Sequence, residues 1–217
     1  RELSNKKFTR EQMGLPEDGF VFCCFNNNYK ISPREFDIWM RLLGKVQGSV
    51  LWLLKSNNWA EQNLRKEAQA RGVDPSRLVF AEKKPQSEHL KRQKLADLFL
   101  DTFNCNAHTT TSDALWAGLP VVTKMGQGFA ARVAGSLLKA VGMPELIAET
   151  EQHYEALILD LATNPSKLAN ARAKLAANRQ TEPLFNSELY TRHLENGYQQ
   201  AYQNYFDGKP PETITVP

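Results

Sequence analysis

Asn104-Cys105-Asn106-Ala107-His108-Thr109-Thr110-Thr111-Ser112-Asp113-Ala114-Leu115-Trp116-Ala117-Gly118-Leu119-Pro120 follows an apolar run, Leu98-Phe99-Leu100, and precedes another, Val121-Val122. A row of hydroxyls stands ahead of Ala114-Leu115-Trp116 as N-cap candidates, so the stretch reads as a strand, a polar loop and a helix start. The first backbone N–H groups of such a helix have no partner inside it. Together with the positive end of the helix dipole they favour an anion, here a phosphate over Thr109 to Thr111. The plainer alternative is that the hydroxyls only cap the helix.

On either side the chain alternates strand-like and helix-like runs. Residues 20–25 are continuously apolar between Gly19 and an Asn cluster, as expected of a strand buried on both faces of a parallel sheet. Ser32-Pro33 reads as an N-cap with proline at the first helical position, opening a helix through Phe36, Ile38, Trp39, Leu42 and Leu43 that ends at Gly44 or Gly48. Further strands are expected over 49–54, 77–80, 98–100 and 120–123, and further helices over 59–71, 87–96 and 128–141, the last with small residues suited to close packing. Repeated β-α order predicts an α/β fold, a Rossmann-like parallel sheet with helices on both faces, followed by C-terminal helices over 150–162, 165–178 and 187–206. In the last helix Leu189, Tyr190, Leu194, Tyr198, Tyr202 and Tyr205 form a stripe expected to dock on the domain, the alternative being a nucleotide or partner face. The expected organisation is a lead-in segment (1–18), a nucleotide-binding lobe (19–182), a C-terminal helix (183–208) and a Pro-rich, poorly ordered tail (209–217).

At 217 residues and 41% hydrophobic content the chain can bury one substantial core. Its net charge of +3, with both signs interleaved, calls for no nucleic-acid surface. Cys23, Cys24 and Cys105 have neither CxxC nor Cys/His spacing, so buried reduced thiols are expected rather than disulfides or a zinc site. No apolar stretch approaches the roughly 18 residues of a membrane span and no signal-peptide pattern opens the chain, so the expectation is a cytoplasmic protein without membrane attachment. The start at Arg1, followed by a polar segment, suggests a piece of something longer.

Ligands of open parallel sheets bind beyond the carboxyl ends of the strands, where the strand order reverses, so the loops after the strands can be pooled. They hold Asn27, Tyr29 and Lys30 after the first strand, Lys83, Lys84 and Gln86 with His89 and Arg92 after the third, and His108 to Asp113 after the fourth. Cations, amide and hydroxyl donors, an imidazole and a carboxylate suit a nucleotide diphosphate with its ribose. No GxGxxG or GxxxxGKS loop follows any strand, which argues against NAD enzymes and P-loop NTPases.

The segments at 25–31, 49–54, 95–97, 100–102, 108–110, 113–118 and 183–185 resemble, in one order over nearly the whole chain, the carboxyl-terminal catalytic lobe of the O-linked N-acetylglucosamine transferases and their SPINDLY-like relatives. The resemblance implies a two-lobed GT-B enzyme of the tetratricopeptide-repeat family, with this chain as the donor-binding lobe. Such enzymes move a sugar from a nucleotide diphosphate to Ser or Thr of proteins with inversion and no essential metal or other cofactor; UDP-GlcNAc is the favoured donor. Lys30 then matches the lysine on the donor diphosphate, where a fixed ammonium stabilises the leaving group. His108, Thr109 and Thr110 match phosphate and sugar contacts, Asp113 the ribose partner, and His89 and Arg92 the base contacts, by stacking and by hydrogen bonding.

Three positions depart from the better-known members: Asn27 replaces a glutamine, Gln86 the ribose-binding lysine, and Lys84 a small residue. These changes keep GDP-fucose open as the donor. The resemblance also places the acceptor cleft and the substrate-selecting repeats outside this chain, so protein acceptors would be met through an amino-terminal lobe it lacks, and the isolated chain should turn over little. A last helix that crosses back to that lobe would here expose its tyrosines. Other readings are a non-catalytic nucleotide-sugar-binding module, a nucleotide-sugar epimerase and a small-molecule glycosyltransferase.

Overall fold

The computed structural model describes residues 2–216; Arg1 and Pro217, the ends of the expected lead-in and tail, lie outside the described residues. Six parallel strands, β1 (Val21–Cys24), β2 (Val50–Leu54), β3 (Leu78–Ala81), β4 (Leu98–Leu100), β5 (Val121–Lys124) and β6 (Ile147–Ala148), form one sheet in the order β3-β2-β1-β4-β5-β6. The strand order reverses between β1 and β4, which makes the carboxyl edge of that pair the switch point of the fold. Every residue of β1 and β4 is buried, as the unbroken apolar runs require of strands covered on both faces.

The helices are α1 (Pro33–Lys45), α2 (Asn58–Ala70), α3 (Gln86–Arg92), α4 (Thr109–Ala117), α5 (Val133–Ala140), α6 (Glu151–Thr163), α7 (Pro165–Thr181) and α8 (Ser187–Phe206). Helix α1 starts as the sequence predicts, with a Ser32/Glu35 capping box and Pro33 in the first turn. Two helices are shorter than expected. The stretch 87–96 becomes α3 followed by a 3₁₀ turn (Gln93–Leu95), and 128–141 becomes a 3₁₀ turn (Phe129–Ala131) followed by α5. Gly135 brings α5 close to the end of β5, because a Cβ there would collide with the Met125 thioether. The two-residue strand β6 was not expected from the sequence; it is too short to show a period of its own and is defined by pairing with Thr123 and Lys124.

Arg10 fastens the lead-in to the sheet, donating to the Gly19 carbonyl at 2.9 Å and pairing with Asp97 at 2.9 Å. The tyrosine stripe does not dock. Helix α8 contains no buried residue, and Tyr190, Tyr198, Tyr202 and Tyr205 are all exposed, so its apolar period marks a face that the rest of the chain leaves uncovered. The tail returns along α8, where Asn204 donates to Glu212 at 3.1 Å and Ala201, Tyr205, Pro210, Pro211 and Ile214 line a cavity of about 320 Å³. Among the described residues no helix is long and apolar enough to cross a membrane.

Candidate functional site

The loops after β1 and β4 meet across the switch point. Lys30 closes a 3₁₀ turn (Asn28–Lys30), and its Nζ donates to the Asn106 carbonyl at 2.9 Å, two residues before α4 is capped. Lys30 therefore faces the β4–α4 loop rather than the opposite rim of the molecule. The helix start is one step earlier than the hydroxyl row suggests. His108 is the N-cap, without a side-chain cap bond, and Thr109, Thr110 and Thr111 occupy the first turn. Since the Ser112 N–H makes the first intrahelical bond, to the His108 carbonyl at 3.2 Å, the amides of Thr109 to Thr111 precede the ladder and remain available to an anion. Gly118, at φ 87°, ends α4 in the left-handed conformation that its sequence position anticipates.

What holds this loop in place is a buried polar hub that the sequence reading did not single out. Asp101 is fully buried, and its Oδ1 accepts from the Ala107 amide at 2.6 Å, the Thr102 amide at 2.8 Å and Asn26 Nδ2 at 3.3 Å; its Oδ2 accepts from Thr123 Oγ1 at 2.7 Å. Burial pushes its carboxyl up to about 7, while these four donors pull the other way. Around it, Asn26 Nδ2 donates to Thr102 Oγ1, Thr102 Oγ1 to the Cys105 carbonyl, and Asn106 Nδ2 to the Thr102 carbonyl, at 2.7–2.8 Å. The network ties β1, β4 and β5 to the loop that delivers His108. One signal was available: Asp101 is a carboxylate directly at the end of an apolar strand, where burial with partners is the only inexpensive state. Asn26 Oδ1, Asn106 Oδ1 and Thr111 Oγ1 are also buried there, with no hydrogen-bond partner among the described residues.

The β5 side adds a wall with no signal in the sequence. His108 Nε2 lies 3.1 Å from the Ala130 carbonyl, the Asn106 amide donates to the same oxygen at 2.8 Å, and the exposed Phe129 ring stands 6.2 Å from the His108 ring. On the β3 side, His89 packs edge-on against Phe25, centroids 5.0 Å apart, which joins α3 to the end of β1. Arg92 is not open to solvent: it is 1% exposed and directs its donors to His89 Nδ1 and the Glu82 carbonyl. Its donors are thus engaged within the chain.

Asn27 is exposed and donates to the Tyr29 hydroxyl at 3.2 Å, and Gln86 is exposed at the start of α3. Lys84 turns to Glu88, at 3.9 Å, and to the Phe8 ring, so its charge is met by a carboxylate that also pairs with Lys6. Asp113, 8% exposed, lies in the second turn of α4. Cys23 and Cys24 are buried free thiols that burial pushes up, away from reactivity. Among the described residues no group of three or more His, Cys, Asp or Glu side chains is placed to hold a metal.

Comparison with known proteins gives the family and agrees with the fold. The model of glycosyl transferase family 41 matches residues 5–194. The chain is 43% identical, over 95% of its length, to a Caenorhabditis elegans UDP-N-acetylglucosamine–peptide N-acetylglucosaminyltransferase, and 39% identical, over 98%, to the Arabidopsis thaliana protein SEC described as a probable enzyme of the same activity. It spans only 18% and 22% of those relatives' lengths. A solved structure of a mutant Thermobaculum terrenum O-GlcNAc transferase superimposes with a TM-score of 0.77 at 29% identity, covering 86% of this chain and 36% of that one. Anabaena HepE, solved with UDP and glucose, shares the fold at a TM-score of 0.58 and 18% identity, covering 84% of this chain and 50% of the other. On these matches the chain belongs to glycosyl transferase family 41.

Proposed function

We propose that the chain is the donor-binding lobe of an inverting glycosyltransferase that moves N-acetylglucosamine from UDP-GlcNAc to Ser or Thr hydroxyls of proteins. One observation carries this reading: Lys30 reaches across the switch point to the loop whose next residues open α4, setting an ammonium beside a helix N-terminus. A departing nucleoside diphosphate gains negative charge as the glycosidic bond breaks, and these groups meet that charge without help from a metal. His108, Thr109 and Thr110 would hold the phosphates and the sugar, and Asp113 and Gln86 the ribose. His89 would stack on the base, with Asn27 and Lys84 at the rim. The acceptor hydroxyl, its base and the protein substrate would come from the rest of a longer protein, in the reducing cytoplasm that suits three free thiols.

The activity named for the two relatives at 43% and 39% identity favours a uracil nucleotide and N-acetylglucosamine over GDP-fucose. Calorimetric titration of the chain with UDP and with GDP tests the choice. Tighter binding of UDP is the expected result; preference for GDP would move the donor to fucose, and absence of heat with either would refute the site.

A further inference from the structure

Arg92 and His89 lie three positions apart on α3, and the family resemblance gives each a contact with the base. Their observed geometry separates the roles. Arg92 Nε and Nη2 lie 3.2 Å and 2.9 Å from the same atom, His89 Nδ1, while Nη1 donates to the Glu82 carbonyl at 2.6 Å. The guanidinium carbon is 5.5 Å and 5.8 Å from the ring centroids of Phe25 and Trp52, so aromatic rings confine the group. A guanidinium carries donors only. Two of its N–H groups aimed at one imidazole nitrogen require a lone pair there, and a proton on Nδ1 would oppose both.

We infer that Arg92 is a positioning residue that fixes His89 as the neutral tautomer with its proton on Nε2, so that the nucleotide meets an uncharged ring with a single donor. Phe25, edge-on at 5.0 Å, fixes the tilt of the same ring. The charged group acting on His89 is Arg92 itself; the adjacent Glu88 is engaged by Lys6 and Lys84. Burial and the Arg92 charge hold the imidazole down at about 4, so the ring stays neutral throughout the physiological range. Of the donor's groups, an oxygen acceptor on the base or ribose is the kind that Nε2–H selects. This consequence for the nucleotide rests on the function proposed above, whereas the tautomer does not.

Long-range 1H–15N spectra of the chain test it, with the His89 signals assigned by their loss in His89→Gln. The expected result is a protonated Nε2, a bare Nδ1 and a titration midpoint near 4. A protonated Nδ1, a mixed tautomer or a midpoint near the ordinary histidine value would overturn the inference. In Arg92→Met the midpoint should rise by about one unit or more, with a mixed tautomer, and Arg92→Lys, which keeps a donor, should restore part of the effect; an unchanged midpoint in Arg92→Met would also overturn it. If Arg92→Met fails to fold, the wild-type spectrum decides alone. UDP titrations from pH 8 to 5.5 separate the two readings. Absence of binding beside a clean Nε2–H tautomer would sink the proposed function while leaving this assignment standing.

Discussion

Tyr154 and Tyr202 are the same side chain in opposite circumstances. Tyr154, on α6, is 0% exposed; its hydroxyl accepts from Trp39 Nε1 at 3.1 Å and donates to the Asp101 carbonyl at 2.9 Å, and its ring packs against Phe103. Tyr202, on α8, is 67% exposed and touches little besides Phe206 on its own helix. The first belongs to a region whose groups find their partners inside the chain: the carboxyl edge of the sheet, where Asp101, Asn26 and Thr102 bind one another and the loop ahead of α4. The second belongs to a helix whose apolar face has the right period and is left unburied by the described residues. Periodicity therefore specifies that a face is apolar, while the identity of what covers it is a separate fact that the pattern does not encode.

The largest expected effect is on chemistry at the first region. In the full-length parent carrying this lobe, Lys30→Ala should lower kcat by about 10²–10³, read as transfer of labelled N-acetylglucosamine to an acceptor protein, with a smaller change in UDP affinity. A drop of less than about threefold would remove Lys30 from the reaction and with it the contrast between a working edge and a passive helix. Next comes the hub. Asp101→Ala leaves the Ala107 and Thr102 amides and the Thr123 hydroxyl without their acceptor, a loss of about 3 kcal/mol in urea unfolding. Asp101→Asn keeps an oxygen for the two amides and should lose only about 1 kcal/mol.

These two residues also show how far the sequence could be read. The alternation of strands and helices and the loops pooled after the strands follow from local pattern, because apolar runs and the Ser32-Pro33 start each act within a few residues of themselves. The hub was missed because its partners are dispersed: Asn26 and Asp101 follow the ends of β1 and β4, Thr123 lies on β5, and only the sheet order brings them together. The partners of Arg92 were missed for the same reason. Its spacing from His89 is visible in the sequence, but the Glu82 carbonyl and the rings of Phe25 and Trp52 that bury it are not.

Acid titration sharpens the contrast further, since the carboxyl edge of the sheet holds groups shifted in opposite directions. The Asp101 carboxyl is raised from 3.8 to about 7 in the folded chain, so the folded state holds the extra proton between those values. Its contribution is full below about pH 4 and is lost as pH rises through about 7. His89 is lowered from 6.5 to about 4, so its contribution is present above 6.5 and lost as pH falls through 4. Between pH 4 and 6.5 the two slopes oppose each other and should leave the wild-type stability nearly level. Asp101→Asn should then unmask a stability that rises with pH, and His89→Gln one that falls, in denaturant midpoints measured every half unit; parallel curves for all three proteins would contradict both assignments.

The smallest effects return to the tyrosines. Tyr154→Phe removes one hydroxyl that has both a donor and an acceptor in the interior, leaving Trp39 Nε1 and the Asp101 carbonyl unsatisfied, and should destabilise the chain by about 1–2 kcal/mol. Tyr202→Ser deletes a whole aromatic ring yet uncovers nothing, because the ring is already in water, and should change unfolding free energy by no more than about 0.5 kcal/mol. The larger excision producing the smaller effect is the outcome that the difference in burial demands. It also separates two explanations of the exposed stripe. If α8 stood in this chain as it stands here, Tyr202→Ser would be silent in unfolding of the isolated lobe; a loss above 1 kcal/mol would mean that the helix packs its tyrosines onto the domain in solution, as the sequence pattern alone predicts.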